Sequence, residues 1–422
     1  MKLTPPVRVY ALGIILAAAL TICARNFGDR GGPYFMGSLG VASIAYLFAI
    51  REFLSNSKFP RHVVIFGLIS AAIWHLPFLL MPPGPDDDIH RYLWDGRVQL
   101  LGYNPYLVIP SDPAWAGLHT SETRNLNHPD LPSPYPPGAE LFFRGITAIH
   151  ESVFALKLAF ALCDLMIVLV LLDILRRNRQ GAHWVLAYAW HPLLAVEVAG
   201  SGHIDIVGVL LLLLSFAALK RRRSAAAAVA LGLAVAVKFI PIVLLPLYWK
   251  RVRIRDCVLA TLVVGLLYFP FLHHGRISTG SLGIYVQSFR FNDPVFAMLE
   301  RLVAPRLAAL LAVFAGLLTA IWFRQKSKES SPHAFAWPMA ASLVCAPVIY
   351  PWYLLWLLPF LQSPSVWPII IWTVSIIPTY YVWHLRTLGR VWLIPGWIIL
   401  LEYGAIFISV AVIGLRRRMK IS

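Results

Sequence analysis

The chain has 422 residues, 59% of them hydrophobic and only 14% charged, with a mean hydropathy of +0.69. That composition excludes a water-soluble globule and places the chain among polytopic membrane proteins. The net charge of +17 does not indicate a nucleic-acid partner, because the basic residues sit in short clusters between apolar runs, where they carry topological information.

The clusters are Lys2/Arg8, Arg51/Lys58/Arg61, Arg176/Arg177/Arg179, Lys220 to Arg223, Lys250/Arg251/Arg253/Arg255, Arg324/Lys326/Lys328 and Arg416 to Lys420. Placed together on the inner side, they predict a multi-pass protein of the cytoplasmic (inner) membrane with both termini cytoplasmic. The apolar runs predict helices over 10–24, 34–50, 62–81, 153–175, 183–200, 205–219, 256–272, 306–323, 333–349 and 396–414. The first run follows Lys2 and Arg8 with no convincing cleavage site, so it reads as a membrane helix rather than a signal peptide. Between Arg223 and Lys250, Lys238 and Pro241 interrupt the apolar sequence and predict a broken hairpin of two short helices. Broken helices at membrane depth line cavities. Pro359 and the turn at 362–365 split the apolar stretch 351–383 into unequal helices. The expected fold is all-α: a single-domain membrane bundle over 1–422 with about 12–14 segments. Cys23, Cys163, Cys257 and Cys345 are far apart in apolar surroundings, which suits small core residues rather than metal ligands or disulfides.

This topology puts Pro82 to Ser152, a large loop after the third helix, on the extracytoplasmic side. The loop holds nine acids against four arginines, the reverse of the cytoplasmic loops. It opens on Asp86, Asp87 and Asp88, directly after an apolar run, and continues through His90, Arg91, Tyr92 and Asp95. Aspartate is a favoured helix cap, which is the plain account of such a residue. A triplet at a membrane boundary followed by a dense set of titratable and aromatic groups points instead to chemistry. Asp87 or Asp88 then serves as general base on an acceptor hydroxyl. Its neighbours orient the acceptor or bind a metal. His128 and Tyr135 lie in proline-rich turns that fold the loop back over the aspartates.

Further along, His191, Glu197, His203 and Asp205 form a second polar group at the outer ends of two helices, suited to orienting sugar hydroxyls. Lys238 lies inside an apolar run. It either snorkels to water or neutralises a phosphate. Arg276, Arg290, Arg386 and Arg390 depart from the positive-inside trend, and Arg290 is the most suggestive phosphate partner among them. Tyr350, Trp352 and Tyr353 read as an interfacial aromatic belt or as a surface for stacking a sugar.

Five stretches carry a resemblance: DDDIHRYLWDGRVQLLGYNPY, HPDLPSPYPPGAE, HPLLAVEVAGSGHID, AVKFIPIVLLP and YPWYLLWLLPF. In this order they resemble the integral-membrane glycosyltransferases of the GT-C superfamily, and among these the bacterial mannosyltransferases that use polyprenyl-phosphate mannose. The family pattern often has Asn where this chain has His191 and Ile204. The resemblance implies a multi-helix bundle whose first large external loop bears the catalytic acid, here Asp87 or Asp88. It implies a polyprenyl-phosphate sugar donor entering from the membrane lipid, a glycan or lipid-linked acceptor, and inversion at the anomeric carbon. The sugar is a hexose, with mannose the first choice. No cofactor is strictly required, because arginine or lysine can meet the phosphate, although a divalent metal is compatible with the acids. The rival reading is a transporter or flippase of a lipid-linked saccharide. Such proteins show repeats and charges near the bilayer midplane, whereas here the charges gather in one loop.

Overall fold

The structure, a computed structural model, describes residues 4–54, 59–84, 87–124, 126–326 and 331–418. Its helix ends follow simple chain chemistry. Helices α1 (Pro5–Arg25) and α2 (Pro33–Phe53) open on prolines, whose fixed φ and missing N–H suit a first turn. Both carry an arginine in the last turn, which complements the helix dipole. Helix α3 (Arg61–Leu80) leads to the loop that holds two short helices, α4 (Asp88–Leu100) and α5 (Pro137–Ile149). Ser152 caps α6 (Val153–Arg177) by accepting from the Ala155 N–H.

After α7 (Leu186–Ala189), a π-helical stretch Leu194–Gly200 meets α8 (Asp205–Lys220) at a bend of 114°. Helix α9 (Ser224–Val237) stops at Lys238. Turns at Ile240–Leu244 and the short α10 (Leu245–Tyr248) then complete the broken hairpin expected from Lys238 and Pro241. Helix α11 (Ile254–Tyr268) leads to a two-stranded antiparallel ribbon, β1 (Leu272–His273) and β2 (Arg276–Ile277), with Leu272 paired to Ile277. Helices α12 (Leu282–Ser288), α13 (Pro294–Glu300), α14 (Pro305–Lys326) and α15 (Pro332–Val344) follow. A run of 3-10 turns, Pro351–Trp356, Leu358–Phe360 and Pro364–Val366, separates them from α16 (Trp367–Ser375), α17 (Tyr381–Thr387) and α18 (Gly396–Arg418).

Among the described residues, eight helices are long and apolar enough to cross a membrane, or nine if the bent pair is one span. This is fewer than the sequence reading expects. Pro351, Pro359 and Pro364 break an apolar stretch into 3-10 turns, because proline cannot donate to an α-helical ladder. Helices α9 and α15 have 14 and 13 residues, short of the ~20 that a crossing needs. Large apolar side chains such as Ile14, Ile44, Leu162, Leu262 and Phe407 are exposed on the long helices. That surface suits a lipid solvent.

The bundle has two chemically distinct ends. At one, Arg8 pairs with Glu52, Arg221 with Asp173, and Arg324 Nε donates to the Trp249 carbonyl, which ties the basic clusters together. At the other, Arg30 pairs with Asp87 and His384 with Asp29. The 82–152 loop and the breaks before α8 and after α9 meet at this second end.

Candidate functional site

The start of α4 builds the site. Asp87 is the N-cap and Asp88 lies in the first turn, where the helix dipole favours negative charge. Their surroundings differ sharply. Asp87 has a side chain only 4% exposed, and Arg30 Nη2 donates to its Oδ1 at 2.5 Å. The Gly84 N–H donates to its Oδ2 at 2.6 Å. A side chain at Gly84 would collide with the Arg30 guanidinium, so the close approach needs glycine. Asp88 is 22% exposed and lines a cavity of about 740 Å³. Asn127 Nδ2 donates to its Oδ1 at 2.5 Å, and its Oδ2 lies 3.8 Å from His203 Nδ1. Asp86 lies outside the described residues.

The cavity brings together, from distant parts of the chain, Asp88, Arg91, Tyr92, His128, Tyr135, Lys238, Arg290, Tyr350, Trp352 and Tyr353. Arg91 is buried; its Nε donates to Asp95 Oδ1 at 2.9 Å and its Nη1 to the Leu131 carbonyl at 2.9 Å. Its Nη2 is buried with no hydrogen-bond partner among the described residues. Lys238 is not an isolated cation. Its Nζ donates to Asp205 Oδ1 at 2.7 Å, an oxygen that also accepts from Trp356 Nε1 at 2.7 Å, and it sits 3.7 Å from the Tyr353 ring centroid. The break after α9 places it there: backbone that stops being helical at Lys238 turns the side chain toward the start of α8.

One wall is aromatic. Tyr350 stacks on Trp352 at 4.3 Å, and Trp352 stacks on His203 at 4.1 Å with planes 10° apart. The Tyr353 and Tyr285 hydroxyls meet at 2.5 Å. Burial pushes the phenols of Tyr92 and Tyr135 well above their ordinary range. They face the cavity as neutral donors. Val237, Phe239, Ile240, Val243, Val313 and Leu343 add an apolar part to the lining.

Other expected residues sit elsewhere. Both ring nitrogens of His90 face backbone carbonyls, Glu122 at 2.6 Å and Gly84 at 3.1 Å, so His90 pins the loop. His191 is buried against Thr373 Oγ1 at 2.8 Å and edge-on to Tyr46, away from the cavity. Asp95 is buried beneath the site beside Glu140, which accepts from Gln99 Nε2 at 2.8 Å and from the Ser133 hydroxyl. Burial raises both carboxyls above the ordinary carboxylate range, and Asp95 raises Glu140 further. Glu197 and His203 stand behind the aromatic wall, with Glu197 Oε2 2.9 Å from His203 Nε2. Arg290 lines the cavity, but its donors already meet Glu300 and the Phe289 and Gln287 carbonyls. Among the described residues, no group of His, Cys, Asp and Glu is placed to hold a metal ion.

Several groups escape the sequence reading. Arg30, Asn127 and Tyr285 carry no motif, and Trp356, inside the YPWYLLWLLPF stretch, is not singled out there. Arg30 alone leaves a signal, being an arginine in a loop expected on the outer side, against the positive-inside trend.

Comparison with known proteins adds the family. No curated protein matches this sequence. Among solved structures, the crystal structure of ArnT from Cupriavidus metallidurans bound to undecaprenyl phosphate is similar with a TM-score of 0.46 and 14% identity, over 82% of this chain and 75% of that one. The family model described as alpha-(1->6)-mannopyranosyltransferase, N-terminal domain, matches residues 32–252. That match spans more than half of a chain whose helices are built to cross a membrane, and the protein belongs to this mannosyltransferase family as a membrane-embedded glycosyltransferase.

Proposed function

We propose that the protein transfers a hexose, mannose first, from a polyprenyl-phosphate donor to a glycan or lipid-linked acceptor, with Asp88 as the general base. The observation that carries the reading is the contrast between the two aspartates. Asp87 is saturated by Arg30 and the Gly84 N–H, whereas Asp88 borders the cavity. A base must reach the proton that it removes, which favours Asp88. Residues 82–152 then act as the catalytic loop of a single membrane domain. The basic clusters favour an extracytoplasmic placement at the inner membrane.

In this reading the acceptor hydroxyl gives its proton to Asp88 as its oxygen bonds to the anomeric carbon. The bond from that carbon to the phosphate oxygen breaks, and the lipid phosphate leaves with the electron pair. Attack from the side opposite the phosphate inverts the anomeric configuration. Lys238 and the unpartnered Nη2 of Arg91 lie on the cavity wall, where cations stabilise the departing charge most in a water-poor setting. The flat faces of Tyr350 and Trp352 suit an apolar sugar face. The apolar side chains of Val237, Phe239, Ile240 and Val243 suit a polyprenyl chain.

The test is transfer by the purified protein in lipid nanodiscs, given radiolabelled polyprenyl-phosphate mannose and a membrane extract as acceptor source. Labelled product that disappears with Asp88→Asn supports the reading. Equal product from wild type and variant rejects the base, and product only from another lipid-linked sugar rejects mannose.

A further inference from the structure

The assignment of Asp88 leaves a buried carboxylate unused. Glu197 is fully buried, and neither of its oxygens has a hydrogen-bond partner among the described residues. A bare carboxylate in such a place costs several kcal/mol unless a cation faces it. The group that faces it is His203, whose Nε2 is 2.9 Å from Glu197 Oε2. The other nitrogen of the same ring, Nδ1, is 3.8 Å from Asp88 Oδ2. From this string we infer that His203, braced by Glu197, is the positioning residue that holds the Asp88 carboxyl group oriented at the cavity edge. The inference rests on Asp88 being the base.

Local structure fixes the string. The π-helical stretch Leu194–Gly200 carries Glu197, and the bend before α8 turns His203 back toward it. Gly202 makes that bend at φ +75°, and a Cβ there would meet Ile89 Cδ1 of α4 at 2.5 Å. The sequence Gly-His therefore lets α4 pack directly on the turn. Stacking on Trp352 prevents the imidazole from rotating out of line.

The other charges around the ring are engaged elsewhere. Asp205 accepts from Lys238 and Trp356. Lys157 donates to the Phe78 and Met81 carbonyls, and Arg30 to Asp87 and Ser201. Tyr92, also packed against the site, is a neutral phenol. Glu197, His203 and Asp88 are left facing one another. Loss of an adjacent cation disfavours the ionised form of a carboxyl group, so removing the imidazole partner is read in the pH profile.

The experiment measures pH profiles of kcat/KM, and the donor KM, for transfer from polyprenyl-phosphate mannose by the full protein in nanodiscs. Glu197→Gln and His203→Gln are each expected to lower kcat by about 10- to 100-fold, the scale of a misplaced catalytic group. In both, the acid limb of the profile moves to higher pH while the donor KM stays put. The double variant loses no more than His203→Gln alone, because the two residues act as one unit. It also removes the unpaired buried charge, so it supplies the readout if His203→Gln does not fold. Asp88→Asn is run alongside. Retained turnover in that variant overturns the base assignment, and the inference with it. An inactive Asp88→Asn beside an unmoved acid limb in Glu197→Gln and the double variant overturns the role of His203 alone.

Discussion

Arg30 and Asp87, 57 residues apart, form a buried ion pair at 2.5 Å that ties the turn between α1 and α2 to the start of α4. Because Arg30 Nη1 also donates to the Ser201 hydroxyl at 2.8 Å, the same guanidinium reaches the break before α8. One side chain thus joins three segments that surround the cavity. Removing one partner of a buried pair costs about 3–5 kcal/mol, since the other charge is left uncompensated. Arg30→Met should therefore lower the melting temperature of the detergent-solubilised protein markedly. An unchanged melting temperature would show that the pair does not hold the site together.

Asp88→Asn should behave in the opposite way. Asn keeps the size of the side chain and an oxygen that accepts from Asn127, so melting should be near wild type. A general base contributes ~10²- to 10⁴-fold in rate, and turnover should fall by that order. Asp87→Asn should lose activity only in step with lost stability. The paired measurement of turnover and melting separates the adjacent aspartates, and a fall in turnover confined to Asp87→Asn reverses the assignment.

Much of this architecture is legible in sequence, and the parts that are not share a cause. The long helices announce themselves by apolar length and basic ends, and the stop at Lys238 by a charge and a proline. The run from Pro351 to Val366 misleads, because apolar composition reports burial but not whether prolines leave 3-10 turns in place of a span. At the site, Asp87 and Asp88 are equivalent in sequence. They differ only because a turn from another part of the chain delivers Arg30 to one of them. His90 reads as a site residue by proximity alone, whereas its ring turns toward two backbone carbonyls.

Lys238 now carries a two-part expectation. Lys238→Met leaves Asp205, which is 1% exposed, with Trp356 Nε1 donating at 2.7 Å but without its cation, so stability should drop. Adding Asp205→Asn removes that stranded charge and should restore melting. If Lys238 also meets the donor phosphate, the double variant should melt normally yet show a raised donor KM. A normal KM in the stable double variant would leave Lys238 as a structural partner of Asp205.

Sidedness is open to direct labelling. Ser121 is exposed in the same loop as Asp88, and the loop sits at the end opposite the basic clusters. With the exposed Cys257 replaced by Ala, Ser121→Cys should react with a membrane-impermeant thiol reagent added to the extracytoplasmic side. Labelling only from the cytoplasmic side would invert the topology.

The buried carboxyls Asp95 and Glu140 give the fold a pH dependence of calculable sign. Burial is the largest cause raising both, and for Glu140 the neighbouring Asp95 adds to it, while Arg91 and Ser133 oppose. A group whose folded value is raised holds more protons folded than unfolded, so stability falls as pH rises through that interval. The fall begins near the ordinary carboxylate values, 3.8 for Asp and 4.5 for Glu, and continues upward toward the raised values. Melting temperature measured from mildly acidic to mildly alkaline pH should therefore decline. Glu140→Gln stays neutral at every pH and keeps an oxygen to accept from Ser133 or Gln99, so it should flatten the decline and melt higher than wild type at the alkaline end. If the variant declines as steeply as the wild type, the pH dependence arises elsewhere than at the Asp95 and Glu140 carboxyls.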